Sequence, residues 1–316
     1  MRLLWTICAA MAALVAMQPR GAGAETLKIA SPQRGSWESA IPELGKKNGI
    51  FQKYGIDLDI TSTSGGGETL QLVVSNAVDI GLSAGTSGVL GAFSRGAPLR
   101  IIGASSTGSR ELFWYVPSQS PIKSMREANN VTIAFSTNGA STHIAVLRFI
   151  EQYGLKAKPV ATGNPNVTFT QVKSDQVDVG WSVAPFQLDA LDRGEVRIIG
   201  RASDIAAIKS QTVRVMIANA KLVADKKDVL ERFMRGYRET VDWLYSSPEA
   251  VPQFMEFSGF SEPAVRRMLA EFIPKESMQS TSIDGLADAQ KDAVQFKFLN
   301  APLSDQQLKE LIQIPK

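Results

Sequence analysis

The sequence predicts an α/β protein of two similar lobes facing one another, followed by an all-helical C-terminal tail. The first observation behind this is a repeat. Val78-Asp79-Ile80-Gly81, a helical stretch, Arg95-Gly96 and Arg100-Ile101-Ile102-Gly103 return as Val177-Asp178-Val179-Gly180, a helical stretch, Arg193-Gly194 and Arg197-Ile198-Ile199-Gly200. Upstream, Lys28-Ile29-Ala30-Ser31 is echoed by Thr132-Ile133-Ala134-Phe135. The second observation is the period. At about 100 residues it exceeds the roughly 20–50 of solenoid units, so each copy, read as strand, helix, strand, helix, strand, is a duplicated lobe. The third is the loss of strand patterning after Asp225. Open α/β sheets bind ligands beyond the carboxyl ends of their strands, so two such lobes enclose a binding cleft.

Each element follows from local pattern. Leu27–Ala30 reads as a buried first strand, and the loop Ser31–Ser36 leads to a helix around Trp37–Lys47 that Gly49 ends. Ile56–Ile60 alternates with Asp57 and Asp59, as a strand with one wet face does. Gly65-Gly66-Gly67-Glu68 opens an apolar helix through Val74; Val78–Leu82 is the third strand. A helix from Gly85–Gly88 ends near Gly96, and Leu99–Ile102 is the fourth strand. Leu112–Val116 is an aromatic strand carrying the chain toward the second lobe. That lobe takes Val131–Phe135, a helix over Ala140–Tyr153, Val177–Trp181, a helix over Phe186–Leu191, and Val196–Ile199. Thr212–Ala218 is an apolar return strand. Beyond it, Asp225 reads as a cap, and Leu230, Phe233, Tyr237, Val241 and Leu244 form one helical face. Helices over Glu262–Phe272 and Ile283–Phe298 follow, and the tail is expected to pack on lobe one. The boundaries expected are 25–116 plus 212–316 for lobe one and 117–211 for lobe two.

Residues 1–24 read as an export signal. Arg2 gives a positive start, Leu3–Met17 is apolar but shorter than the about 20 residues of a spanning helix, and Ala22-Gly23-Ala24 suits cleavage before Glu25. The expected location is the periplasm. Cys8, the one cysteine, falls inside the signal, too early for lipid attachment, so neither a lipid anchor nor a disulfide is expected. The 34 basic and 31 acidic residues balance, with no polybasic run, which argues against nucleic acid or an anionic membrane as partner.

Four segments carry a resemblance to a known family. They are Gly45-Lys46-Lys47-Asn48-Gly49-Ile50-Phe51 running on to Gly55-Ile56, Val78-Asp79-Ile80-Gly81, Asn138-Gly139-Ala140-Ser141-Thr142-His143, and Val177-Asp178-Val179-Gly180-Trp181 with Pro185-Phe186. In order and spacing the chain resembles the nitrate/sulfonate/taurine-type solute-binding proteins of bacterial ABC importers. The resemblance implies a two-lobed type II periplasmic binding protein fold, each lobe a mixed sheet flanked by helices. It also implies a clamp that holds one small molecule, closes, and delivers it to an inner-membrane permease driven by a cytoplasmic ATPase. The chain has no G-x-x-x-x-G-K-[ST] of its own, as that division of labour requires. A monomer is expected.

Small anions bind backbone N–H groups at helix N-termini, where Gly, Ser and Thr permit close approach. Four loops offer this: Ser31–Trp37, Ser64–Glu68, Ser83–Ser87 and Ser136–His143. Candidate contacts are Ser36, Gly66, Ser83, Gly85, Thr86, Ser136, Asn138, Gly139 and Ser141. The competing reading is that these residues only make turns and cap helices. Arg34 and Arg110 are candidate clamps for a carboxylate or sulfonate, against the ordinary fate of arginine as a solvated surface residue. His143, the one histidine, sits in a first helical turn that disfavours its charge; it can donate one bond to a ligand or simply pack. Trp37 and Trp181 are the aromatic candidates, with Phe135 and Phe186 assigned to the core. One histidine and no mature cysteine leave no metal site to expect, and no cofactor is expected. Many relatives carry an acid before the proline of the last element, where this chain has Ala184. That argues against a ligand amine held at that position, taurine included.

These features predict a non-enzymatic solute-binding protein for a small organic anion: a sulfonate or carboxylate, aromatic or aliphatic, ahead of nitrate. The alternatives are a binding protein for a neutral pyrimidine-type thiamin precursor and a periplasmic sensor subunit. A third reading is a hydrolase, since Gly81-Leu82-Ser83-Ala84-Gly85 matches a nucleophile elbow with Ser83 as nucleophile and His143 downstream. Against it, the repeat places the same turn at Gly180–Ala184, and 173 residues follow His143.

Overall fold

The computed structural model describes residues 24–315; the segment expected to be an export signal, with Cys8, lies outside them except for Ala24. The repeat is visible in the order of strands. In the first sheet β2 (Ile56–Thr63), β1 (Glu25–Pro32) and β3 (Ile80–Gly85) run parallel, and β4 (Leu99–Thr107) forms the far edge. In the second copy β6 (Thr132–Phe135) and β7 (Lys158–Ala161) pair in parallel, and a bridge between Ile133 and Val179 leads into β8 (Gly180–Val183). β9 (Val196–Arg201) forms the far edge there.

Each sheet is completed by a strand from outside its own repeat. β10 (Thr212–Asn219) inserts antiparallel between β3 and β4. β5 (Leu112–Pro117) inserts antiparallel between β8 and β9. This corrects one expected boundary: the aromatic strand belongs to lobe two, not lobe one. Its side chains explain why. Trp114 meets Phe149 edge-on at 5.1 Å and donates its indole N–H to Ala134 O at 2.9 Å, so it completes the core of the second lobe. The chain first crosses between lobes at residues 108–111, ahead of the expected boundary between 116 and 117. The return crossing, at residues 202–211, lies beside it: Gly108 N donates to Gln211 O at 3.0 Å.

The duplication reaches individual side chains. Asp79 accepts from Lys28 N at 2.8 Å, and its counterpart Asp178 accepts from Thr132 N at 2.7 Å. The Asp of each Val-Asp step thus satisfies an amide in the first strand of its own lobe. Thr63 and Thr69 share a hydroxyl bond of 2.7 Å, and Thr162 and Thr168 one of 2.6 Å, in both cases fixing the end of the second strand to the following helix.

Helices cover the sheets. α1 (Trp37–Lys47), α2 (Ile50–Lys53), α3 (Gly66–Val74) and α4 (Thr86–Ser94) belong to lobe one. α5 (Ser141–Tyr153), α6 (Pro165–Lys173) and α7 (Leu188–Asp192) belong to lobe two. In the tail, α8 (Ala220–Asp225) is a short helix that Asp225 ends rather than caps. α9 (Lys227–Ser246) buries Leu230, Phe233, Tyr237, Val241 and Leu244, the face its spacing predicts. α10 (Ala250–Ser258), α11 (Glu262–Glu271), α12 (Leu286–Gln295) and α13 (Asp305–Leu311) complete it. The tail packs on lobe one through α1 and α4, and also reaches lobe two. Arg148 on α5 pairs with the fully buried Asp292 on α12, and Phe186 meets Phe260 edge-on at 5.0 Å.

The lobes touch through backbone. A Cβ added to Gly85 would lie 2.2 Å from Gly139 O, and one added to Gly67 2.1 Å from Asn138 O. Gly67 N also donates to Thr137 Oγ1 at 3.0 Å. Only glycine allows so close an approach. Gly85 has φ −65°, a conformation alanine adopts freely. Gly85→Ala is therefore expected to fold with unchanged thermal stability but to hold the lobes apart, giving a larger radius of gyration by X-ray scattering. Equal radii for variant and parent would show that this contact is not made in solution.

Candidate functional site

Three helices begin at the interface between the lobes. α1 starts behind Ser36, whose hydroxyl accepts from Ser39 N at 3.2 Å. α3 starts at Gly66, and α5 at Ser141 behind Ala140. Between them lies a small cavity lined from lobe one by Gln33, Ser36, Glu38, Gly66, Ser83 and Arg214, and from lobe two by Ala140, Ser141, Thr142 and Trp181 among others. Its volume is about 20 Å³, room for about one water. In this conformation the cleft is shut, and any larger solute enters only when the lobes part.

One wall is charged. Arg214 projects from β10 with a side chain only 8% exposed, and its Nη2 pairs with Glu111 from the first crossing. The same nitrogen lies 3.1 Å from Glu38 Oε1, out of line for a hydrogen bond. Glu38 Oε2 accepts from the Ser83 hydroxyl at 2.9 Å. Ser83 itself is held at φ +54°, a left-handed conformation costing on the order of 1–3 kcal/mol. Burial pushes the Glu38 carboxyl above the usual carboxylate range; Arg214 opposes this and Glu111 adds to it. Burial also works against the Arg214 charge, but the two carboxylates outweigh it and hold the guanidinium protonated.

The opposite wall is neutral. Ser136 N donates to Thr142 Oγ1 at 3.0 Å, and the two hydroxyls share a bond of 2.8 Å. Trp181 is buried against the cavity with its indole N–H on Thr162 Oγ1 at 3.2 Å.

Six of the residues singled out from sequence line this cavity: Ser36, Gly66, Ser83, Ser136, Ser141 and Trp181. The others fall elsewhere. Arg34 is over half exposed, paired with Glu43 at 3.6 Å and stacked on Phe257. Arg110 is exposed on the crossing. Trp37 is a core residue, packed edge-on against Phe254 at 4.8 Å and Tyr245 at 5.7 Å. Gly85, Asn138 and Gly139 form the contact between lobes, and Thr86 donates to Thr212 O at 2.7 Å. His143 stacks on Phe135 at 4.2 Å and accepts from Gly139 N through Nδ1, so it supports the loop from behind and is not a partner for Ser83. Sequence reasoning missed Glu38, Glu111 and Arg214. One signal was available: Arg214 is the single charge in the strand Thr212–Ala218, and a buried charge requires a partner.

Two predictions test this arrangement. Arg214→Met leaves two carboxylates buried without their cation and is expected to cost roughly 3–5 kcal/mol in urea unfolding at pH 7. A loss below about 1 kcal/mol would mean that the cluster is hydrated, not buried. Burial pushes the His143 pKa down to about 4. The unfolded chain therefore takes up a proton that the folded one refuses, and stability falls as pH drops from about 6.5 toward 4. His143→Phe should flatten that part of the melting temperature–pH curve; an unchanged slope would place the effect on other groups.

Comparison with solved structures returns the same architecture. The alkanesulfonate-binding protein SsuA from Xanthomonas axonopodis pv. citri, bound to MOPS, superposes with a TM-score of 0.78 at 17% identity, over 93% of this chain and 99% of that one. The aliphatic sulphonate-binding SsuA from Escherichia coli gives 0.71 at 19% identity, over 92% and 93%. The nitrate-binding protein NrtA from Synechocystis PCC 6803 gives 0.70 at 12% identity, over 91% and 86%. At such identities the likeness establishes the fold. No curated protein matches the sequence. The model of the NMT1/THI5 like family matches residues 43–251, about two-thirds of the chain, and the protein belongs to that family.

Proposed function

We propose that this protein is the solute-binding component of an ABC importer, exported to the periplasm, and that its solute is a small organic acid, a sulfonate or carboxylate ahead of nitrate. The observation that carries the reading is the closed cavity between the lobes on which three helix N-termini converge. Those of α3 and α5 contribute backbone N–H groups and the positive end of a helix dipole, and the seryl and threonyl hydroxyls around them add donors. An acid group placed at Gly66, Ser141 and Thr142 satisfies these without a dedicated arginine. This replaces the role expected of Arg34 and Arg110, which lie outside the cavity. The mechanism is lobe closure about the paired crossings at 108–111 and 202–211, with the solute buried between the lobes and presented to a permease. Two of the similar folds belong to sulfonate-binding proteins and one to a nitrate-binding protein, which supports the class.

The test is a thermal-shift screen of the chain from Glu25 to Lys316 against alkanesulfonates, carboxylates, nitrate, pyrimidines, amino acids and simple esters. A solute at about 100 times its dissociation constant adds about 2.7 kcal/mol, a rise of several degrees. The expected result is a rise with an organic acid and none with its amide or alcohol analogue. No rise across the panel, from protein shown free of co-purified solute, would overturn the organic-acid reading and favour a neutral solute or a sensing role.

A further inference from the structure

Two buried carboxylates, Glu38 on the cavity wall and Glu111 on the crossing, share the one guanidinium of Arg214, and this constrains the rest of the solute. Glu111 takes the direct ion pair with Arg214. Glu38 is left with an off-line approach to the same nitrogen and one hydroxyl bond from Ser83. Its Oε1 is buried without a hydrogen-bond donor, although the side chain lines the cavity. Arg214 also lines the cavity, nine-tenths buried, with its Nε unpartnered. The cluster is therefore unsaturated at two atoms: Glu38 Oε1 has only the off-line approach of Arg214 Nη2, and Arg214 Nε has no acceptor. Cavity-lining residues from lobe two are uncharged and supply no counter-charge.

Glu38 also occupies the first turn of α1, the position an anion would take at that helix start. A plain anion entering here would meet a second carboxylate at close range in a dry site. We propose that the solute is an organic acid that also carries a cationic or hydrogen-bond-donating nitrogen, and that Glu38 selects it by accepting from that nitrogen. The acid end faces the helix starts of α3 and α5, and the nitrogen faces Glu38. Trp181, in the opposite wall, offers the aromatic surface that a cation also favours. The inference rests on the organic-acid reading above and adds a second recognition point to the same cavity.

Calorimetric titration of the whole exported chain with matched pairs tests it: taurine against ethanesulfonate, β-alanine against propionate, and MOPS against a morpholine-free alkanesulfonate. A charged hydrogen bond predicts that the nitrogen-bearing member of at least one pair binds about ten-fold tighter or more. Glu38→Gln, which keeps the bond from Ser83, is expected to abolish or invert that preference while the plain acid gains affinity. Equal binding within every pair in the parent protein, or a preference that survives Glu38→Gln, overturns the inference and leaves the organic-acid reading standing. Should Glu38→Gln fail to fold, the ratios in the parent protein decide alone. Absence of binding by every acid, with or without nitrogen, removes both.

Discussion

The buried ion pair between Arg214 and Glu111 is the interaction on which the geometry of the cleft depends. Glu111 lies on the first crossing between lobes and Arg214 near the start of the strand that follows the second. The pair therefore fastens the two hinge segments to each other at the floor of the cleft. The neighbouring bonds follow the same line: Thr107 and Thr212 share hydroxyls at 2.8 Å, and Gly108 donates to Gln211. A buried pair of this kind adds little net stability, because desolvating both ions offsets most of their attraction. What it supplies is position. Arg214 lies 3.1 Å from Glu38, which in turn accepts from the Ser83 hydroxyl, so the charged wall is assembled without a solute.

The duplication explains why such a wall meets a neutral one. Each lobe repeats the same strand order, the same Asp-to-amide bond and the same threonine pair, so each presents helix starts at the same place. Each sheet is completed by a strand from outside its repeat, and the two completing strands differ. β10 brings a buried arginine into lobe one; β5 brings Phe113, Trp114 and Tyr115 into lobe two. The asymmetry of the site is thus carried in part by β10, which brings Arg214 to the cavity, and in part by Glu38 on α1.

Much of the fold was legible in the sequence, because the features that mark it are local and repeated. The Val-Asp steps, the glycine-rich helix starts and the apolar face of α9 each have a period or a spacing to read. The boundary of lobe one was misplaced because β5 lies between the copies and pairs only with β8 and β9, across separations that no local pattern records. The site was legible in its backbone and hydroxyl part, since Gly66, Ser83, Ser136 and Ser141 stand at strand-to-helix turns. Its charged part was not. Glu38 reads as an acid at a helix start, where acids are common for dipole reasons alone. Arg34 and Arg110 are basic residues in the right loops, but Arg34 turns to Glu43 and Phe257 and Arg110 is exposed. Proximity in sequence to the cleft and direction of the side chain are separate matters.

Closure itself is part of the selectivity. The backbone contact between Gly85 and Gly139 leaves no slack, so the lobes either meet or stay apart. The lobes meet here with Glu38 Oε1 and Arg214 Nε unpartnered, so on the proposed function a solute that supplies a donor to the one and an acceptor to the other would add to the stability of the closed form. The polar groups at the cleft floor thus do more than hold the solute: they couple its chemistry to a geometric event between lobes.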